Sequence, residues 1–148
     1  LKRFQNKNLM QYDMFLKYCR EKSKRLPLYK TPHDSLIYRI MRDPSVIKLK
    51  NILESYTQVL LLKNQEIIGE VDLVSFSSND DVYICEAKTT LRSGRGAVSQ
   101  LDKAYEYIKV HFDILPIMVS IRQPFGRKIS RTIIMPEIND IIFYSRYK

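Results

Sequence analysis

The chain has 148 residues, 45% of them hydrophobic and 28% charged, which suits one globular domain with its own core and excludes a disordered or low-complexity chain. Its 25 Lys and Arg stand against 16 Asp and Glu, a net charge of +9, so the partner to expect is a polyanion, either a nucleic acid or an anionic membrane surface. No apolar run approaches the ~20 residues of a membrane span, no signal-peptide pattern opens the chain, and two cysteines (Cys19 and Cys85) are too few for a disulfide framework, so a soluble, reduced, intracellular protein is expected, in cytoplasm, nucleoid or nucleus.

In chain order, Leu9, Tyr12, Leu16 and Cys19 have helical spacing and predict a helix over 8–20, followed by a charged run from Arg20 to Arg25. Thr31-Pro32 reads as an N-cap with proline in the first turn and opens a helix to about Arg42. Asp43-Pro44 repeats that signal and predicts a further helix with Val46, Leu49, Leu53 and Tyr56 on one face. From Thr57 the period changes to that of strands, at about 57–63, 66–76 and 81–89, consecutive and antiparallel, with Cys85 a small buried residue. Val98, Leu101, Tyr105 and Ile108 form the apolar stripe of a helix over 97–112. Strands are expected at 116–121, 129–135 and 141–144. The expectation is one α/β domain over 1–148, with N-terminal helices at 8–42, a core at 43–121 and C-terminal strands at 129–145.

The most informative stretch is Gly69-Glu70-Val71-Asp72 and, across a Ser-Ser-Asn-Asp-Asp turn, Cys85-Glu86-Ala87-Lys88. Residues two apart on a strand share a face, so Glu70 and Asp72 pair on one strand and Glu86 and Lys88 on its neighbour. Three carboxylates converging beside one ammonium repel unless a cation sits among them, and hard divalent ions take such oxygen ligands. Carboxylates holding Mg²⁺ suit phosphodiester hydrolysis, because the metal lowers the pKa of bound water and neutralises developing charge. A lysine alongside orients or stabilises the attacking hydroxide. The bland alternative is a solvated strand face with alternating charges.

An acid, 13 intervening residues and then Glu-x-Lys resembles the PD-(D/E)xK nuclease superfamily, in the branch of archaeal Holliday-junction resolvases, Mrr-like restriction nucleases and RecB-like exonucleases. The resemblance spans about residues 43–121 and implies a restriction-endonuclease-like core: helix, three antiparallel strands, helix and strand, with a central mixed sheet flanked by helices. It implies that Asp72 and Glu86 are metal ligands with the backbone carbonyl of Ala87, that Glu70 is an additional ligand or a surface acid, and that Lys88 is the catalytic lysine. The cofactor implied is Mg²⁺, with Mn²⁺ as a substitute. The substrate the resemblance implies is DNA, cut to leave 5′-phosphates, and many members of the superfamily are homodimers. No membrane partner is expected. The acid that this superfamily places on the helix before the first strand has three candidates here, Asp34, Asp43 and Glu54. Asp43 also reads as an N-cap and Glu54 as a helix-end residue.

The remaining candidates would meet substrate. Gln100, Lys103 and Tyr107 share a face of the following helix, so Gln100 and Lys103 face the site or a nucleic-acid backbone, although the RecB-like Gln-to-Tyr spacing is not met. Arg92 and Arg95 lie in a Gly-containing loop beside the site, suited to phosphates or simply solvated. Arg122, Arg127, Lys128 and Arg131 form a second basic cluster. His33 and His111 have no ligand partners at useful spacing, and His33 reads as a first-turn helix residue. Two rivals stay open: a non-catalytic nucleic-acid-binding module on a nuclease fold, and an RNA endonuclease of the same fold.

Overall fold

In the computed structural model, residues 2–24, 31–90, 95–124 and 128–136 are described. The strand expected at 141–144, and with it Arg92 and Arg127, lies outside the described residues. Helix α1 (Lys2–Lys22) precedes α2 (Pro32–Arg42) and a 3-10 turn at Pro44–Ile47. Strands β1 (Ile52–Lys63), β2 (Glu66–Ser77) and β3 (Val82–Lys88) lead into α3 (Arg95–Phe112), β4 (Ile117–Arg122) and β5 (Ser130–Ile134). The strands form one sheet in the order β1-β2-β3-β4-β5, antiparallel except where α3 makes the crossover between the parallel pair β3 and β4. This is the expected mixed sheet flanked by helices.

Local chemistry accounts for the element ends. The Thr31 hydroxyl accepts from the Asp34 N–H at 3.1 Å, which starts α2 beside Pro32. Asn64 and Gln65 both have positive φ, 52° and 69°, as a tight two-residue hairpin between β1 and β2 requires. The Ser77 hydroxyl accepts from the N–H groups of Asn79 and Asp81 and closes the β2–β3 turn.

The helix expected after Asp43-Pro44 is a correction. Lys48 and Asn51 both adopt φ 61°, left-handed conformations that end the helical path after the 3-10 turn. Ile47 and Leu49 are buried, whereas Leu53 is exposed and Tyr56 lies within β1. The helical spacing of Val46, Leu49, Leu53 and Tyr56 is real in the sequence, but pairing with nearly the whole of β2 outweighs it.

The sheet separates two apolar clusters. On one face α1 and α3 cover Val59, Leu61, Val71, Val74, Ile84 and Met118. Phe15 is the fully buried centre of α1, 4.9 Å from the Phe112 ring and 5.6 Å from Phe76, while the expected stripe members Tyr12 and Leu16 are only half-buried. On the other face Leu36, Ile37 and Ile40 of α2 cover Leu73, Cys85, Ala87, Val119 and Ile121. Both cysteines are buried and unpaired by disulfide, as expected for Cys85. Leu101, Tyr105 and Ile108 are buried, which makes Tyr105 a core residue of α3. Tyr107 is structural too: its hydroxyl donates to the Leu62 carbonyl at 2.6 Å and meets the Tyr18 hydroxyl at 3.2 Å. Among the described residues, no helix is long and apolar enough to cross a membrane.

Candidate active site

The candidate residues Asp72 and Glu86 come together where β2 and β3 part. The two strands are paired from Phe76↔Val82 to Leu73↔Cys85 and no further, although β3 runs on to Lys88 against β4. Asp72 is the first residue of β2 beyond the paired stretch. Its side chain enters the fork, where Oδ2 accepts from the Ala87 N–H at 2.9 Å. Reciprocally, the Asp72 N–H donates to Glu86 Oε1 at 3.3 Å. Two carboxylates thus stand in for the carbonyls of a continued ladder and satisfy backbone donors that the fork would leave unpaired.

A change of side-chain parity aims Asp72 into this fork. Val71 and Val74 belong to the same cluster although they are three residues apart, so the strict alternation of a strand breaks between them. Gln58 is directly opposite in the β1–β2 register, between the pairs Thr57↔Leu73 and Val59↔Val71. It adopts φ 49°, an uncommon conformation for a residue inside a strand.

The sequence predicts His33 in a helix's first turn, and it lies in the first turn of α2. The fold adds a contact that spacing could not show. Its Nε2 lies 3.1 Å from Asp72 Oδ2 and its Nδ1 3.2 Å from Asp34 Oδ1. Both ring nitrogens face carboxylate oxygens, the arrangement of a doubly protonated imidazolium. The hydrogen bond to Asp72, then the charges of Asp72 and Asp34, outweigh burial and raise its pKa to about 9. The Thr31-Pro32 cap was the available sequence signal, since it puts residue 33 in a helix's first turn, but only the packing of α2 under β2 and β3 points that turn at Asp72.

The same contact separates the three candidate helix acids. Asp34 reaches the fork through His33. Glu54 lies on β1, not at a helix end, in an exposed pair with Arg20 at 2.9 Å. Asp43 is exposed and accepts from the Ser45 hydroxyl, and its side chain makes no N-cap hydrogen bond to the 3-10 turn.

Glu86 is 2% exposed, between Cys85 and Ala87. Burial, then the charge of Asp72 and a hydrogen bond with it, push the Glu86 carboxyl well above the usual carboxylate range, and nearby Lys88 offsets this only in part. Burial also opposes ionisation of Asp72, but hydrogen bonds from His33, Glu86 and the Ala87 N–H prevail and hold it below the usual range. The pair therefore shares one proton, seated on Glu86, and titrates as a unit. Lys88 Nζ donates to Gln100 Oε1 at 3.4 Å, so α3 brings Gln100 to the lysine as the helical face suggested. A side chain at Gly69 would sit 3.9 Å from Lys103 Cδ, so the Lys103 stem passes over a bare stretch of β2 three residues before Asp72. Glu70 is exposed opposite Leu60, outside the hydrogen-bonded fork. Arg95 opens α3, and its side chain is outside the described residues.

Among the described residues, no three His, Cys, Asp or Glu side chains are grouped to hold a metal ion. Two carboxylates suffice for Mg²⁺, which keeps several waters and binds through one or two acids. Asp72 and Glu86 fit that description: their donors are hard oxygens, and a dication would supply the positive charge whose lack keeps Glu86 protonated.

No protein-family profile and no curated protein matches this chain. Two solved structures are similar to it. A repair endonuclease from Pyrococcus abyssi matches 66% of this chain at 16% identity, with a TM-score of 0.46. An EndoMS–dsDNA complex matches 71% of it at 19% identity, with a TM-score of 0.43. The matches cover 40% and 41% of those longer chains, so this chain corresponds to about two fifths of each.

Proposed function

We propose that this chain is a Mg²⁺-dependent nuclease that hydrolyses phosphodiester bonds in DNA, with Mn²⁺ able to replace Mg²⁺. The observation that carries the reading is the fork itself, where Asp72 and Glu86 meet between parting strands with Lys88 two residues on. A structural role alone does not explain it, since a buried acid pair sharing one proton is costly and an apolar pair would close the sheet. The net charge of +9 suits a polyanionic substrate.

When bound, the metal supplies Lewis-acid activation of water and neutralises charge on the scissile phosphate. Asp72 and Glu86 would hold it as carboxylates, with the Ala87 carbonyl as a further donor. His33 balances the charge of Asp72 and fixes the rotamer of that carboxylate. Lys88, steadied by Gln100, places an ammonium beside Glu86, where it orients the attacking water and stabilises the pentacoordinate phosphate. Gln100, Lys103, Arg92 and Arg95 are the substrate-contacting groups of this reading.

A second reading, a nucleic-acid-binding module without catalysis, is favoured by one observation: only two acids of the fork are in direct contact, and the third, Asp34, acts through His33. A cleavage panel of duplex, single-stranded and branched DNA and of RNA, with Mg²⁺, Mn²⁺ or EDTA, separates the readings. Metal-dependent cutting that disappears in Asp72→Ala and Lys88→Ala, with both variants folded, is the expected result. Binding without cutting supports the module, cutting confined to RNA supports an RNA endonuclease, and variants that cut like the parent overturn the assignment.

A further inference from the structure

On the face of the sheet that α3 covers, β3 and β4 run in step. Glu86 and Lys88 alternate with Cys85 and Ala87, which lie in the cluster under α2, so the first two point to the α3 face. Ser120 and Arg122 alternate in the same way with Val119 and Ile121. The parallel register sets Ile84 beside Met118, Glu86 beside Ser120 and Lys88 beside Arg122. Leu101, Ala104 and Ile108 of α3 share a cluster with the first of these pairs, and the two pairs that follow are polar. The lining therefore turns from apolar to polar toward the carboxyl ends of two parallel strands, where ligands of α/β sheets bind. The fork uses Glu86 and Lys88 from this strip, but not Arg122.

Arg122 is held from both sides. The Gln123 N–H donates to the Lys88 carbonyl at 3.0 Å, which carries the β3–β4 ladder one residue past Arg122. On its other side Arg122 pairs with Ser130 of β5. Its Nε is buried, and the residue as a whole is half-buried. A guanidinium anchored in this way loses little rotamer freedom on binding, and its planar fork of N–H groups matches two oxygens of a phosphate. One inter-strand spacing, about 5 Å, separates the Arg122 backbone from that of Lys88. A nucleic-acid strand with one phosphate at the fork therefore brings a neighbouring phosphate within reach of Arg122. We propose that Arg122 is a substrate-binding residue that clamps a backbone phosphate next to the one held at the fork, on the β4 side. The identity of the strand rests on the nuclease reading; the phosphate contact does not.

The test is binding of a short fluorescein-labelled DNA duplex, followed by anisotropy in EDTA from low to moderate salt. Arg122→Gln is compared with the parent and with Lys48→Gln, which removes an exposed charge on the opposite face of the sheet. Losing one phosphate contact lowers the slope of log K against log salt by about 1. Arg122→Gln should show that fall and on the order of tenfold weaker binding near 0.1 M salt, with Lys48→Gln near the parent. An unchanged slope in Arg122→Gln overturns the proposal, as does an equal fall in Lys48→Gln or a parent that binds no duplex. Urea unfolding checks that the variants are folded. Arg122→Lys keeps the charge but not the two-pronged contact, so it should keep the parent slope with severalfold weaker binding. It decides the question if Arg122→Gln does not fold, and parent affinity in Arg122→Lys then overturns the clamp. Cleavage at saturating duplex with Mg²⁺ is measured separately. A parent that never cuts, with the slope fall in Arg122→Gln, removes the nuclease reading and leaves the clamp standing. A cutting parent with an unchanged slope removes the clamp alone.

Discussion

Glu86→Gln is the most discriminating substitution, because the fork predicts opposite effects on stability and on activity. Glu86 is 2% exposed and carries the shared proton of the acid pair, so in the metal-free protein a neutral amide is close to it in shape and charge. An acid whose folded pKa lies above its unfolded value makes the native state bind more protons than the unfolded one, so stability falls as pH rises above the ordinary value of 4.5. At pH 7 the cost has a ceiling of about 3.5 kcal/mol, from about 1.4 kcal/mol per pH unit over the interval between the ordinary glutamate pKa and neutrality. Glutamine removes that cost. In EDTA the variant should therefore match or exceed the parent near pH 7, by up to roughly 3.5 kcal/mol, and the two should converge near pH 4. Urea unfolding from pH 4 to 8 reads this difference directly. In Mg²⁺ the order should invert: the parent gains stability from the ion by mass action, the variant gains little, and cleavage falls by about a hundredfold or more. Parallel pH profiles for the two proteins would refute a buried, protonated Glu86, whatever became of activity.

Three further outcomes follow from the same geometry. His33 should titrate near 9 by NMR in EDTA; since its folded pKa is raised, its stabilising contribution is complete below its ordinary 6.5 and is lost as pH rises from there through about 9, so a ring titrating near 6.5 contradicts the contact with Asp72. Gln100→Ala should slow single-turnover cleavage by less than about tenfold, against a hundredfold or more for Lys88→Ala, and an equal loss in both would make Gln100 more than a support for the lysine. Phe15→Ala empties the centre of the α1 face and should cost about 3–5 kcal/mol, seen as a fall in Tm of about 10 °C; a change under 1 kcal/mol would mean that α1 is not anchored there.

Much of this fold was legible in the residues. Apolar and β-branched runs bounded by turn residues marked β2, β3 and β1 from Thr57 on, the apolar stripe of α3 located Leu101 and Ile108, and the Thr31-Pro32 cap placed the start of α2. These signals are local, because each depends on a repeat or cap read over a few neighbours. The stretch from Pro44 to Tyr56 misled for the complementary reason. Its helical spacing is a local fact, but the sheet edge it joins is formed by residues ten to thirty positions further on.

The candidate site divides along the same line. Asp72, Glu86 and Lys88 were identifiable because a hairpin fixes which residues lie side by side, and a hairpin can be read from one continuous segment. The fork needs β4, which stays paired with β3 through Lys88 after the pairing with β2 has ended, and the crossover helix α3, which sets Gln100 beside Lys88. His33 joined the site, and Asp34 parted from Asp43 and Glu54, only through the docking of α2 beneath strands about forty residues later in the chain. Sequence spacing constrains residues within one element and across one tight turn. The choice between elements that pack from opposite faces of a sheet belongs to burial, since covering Leu73, Cys85 and Ala87 with Leu36, Ile37 and Ile40 is what carries the first turn of α2 to Asp72.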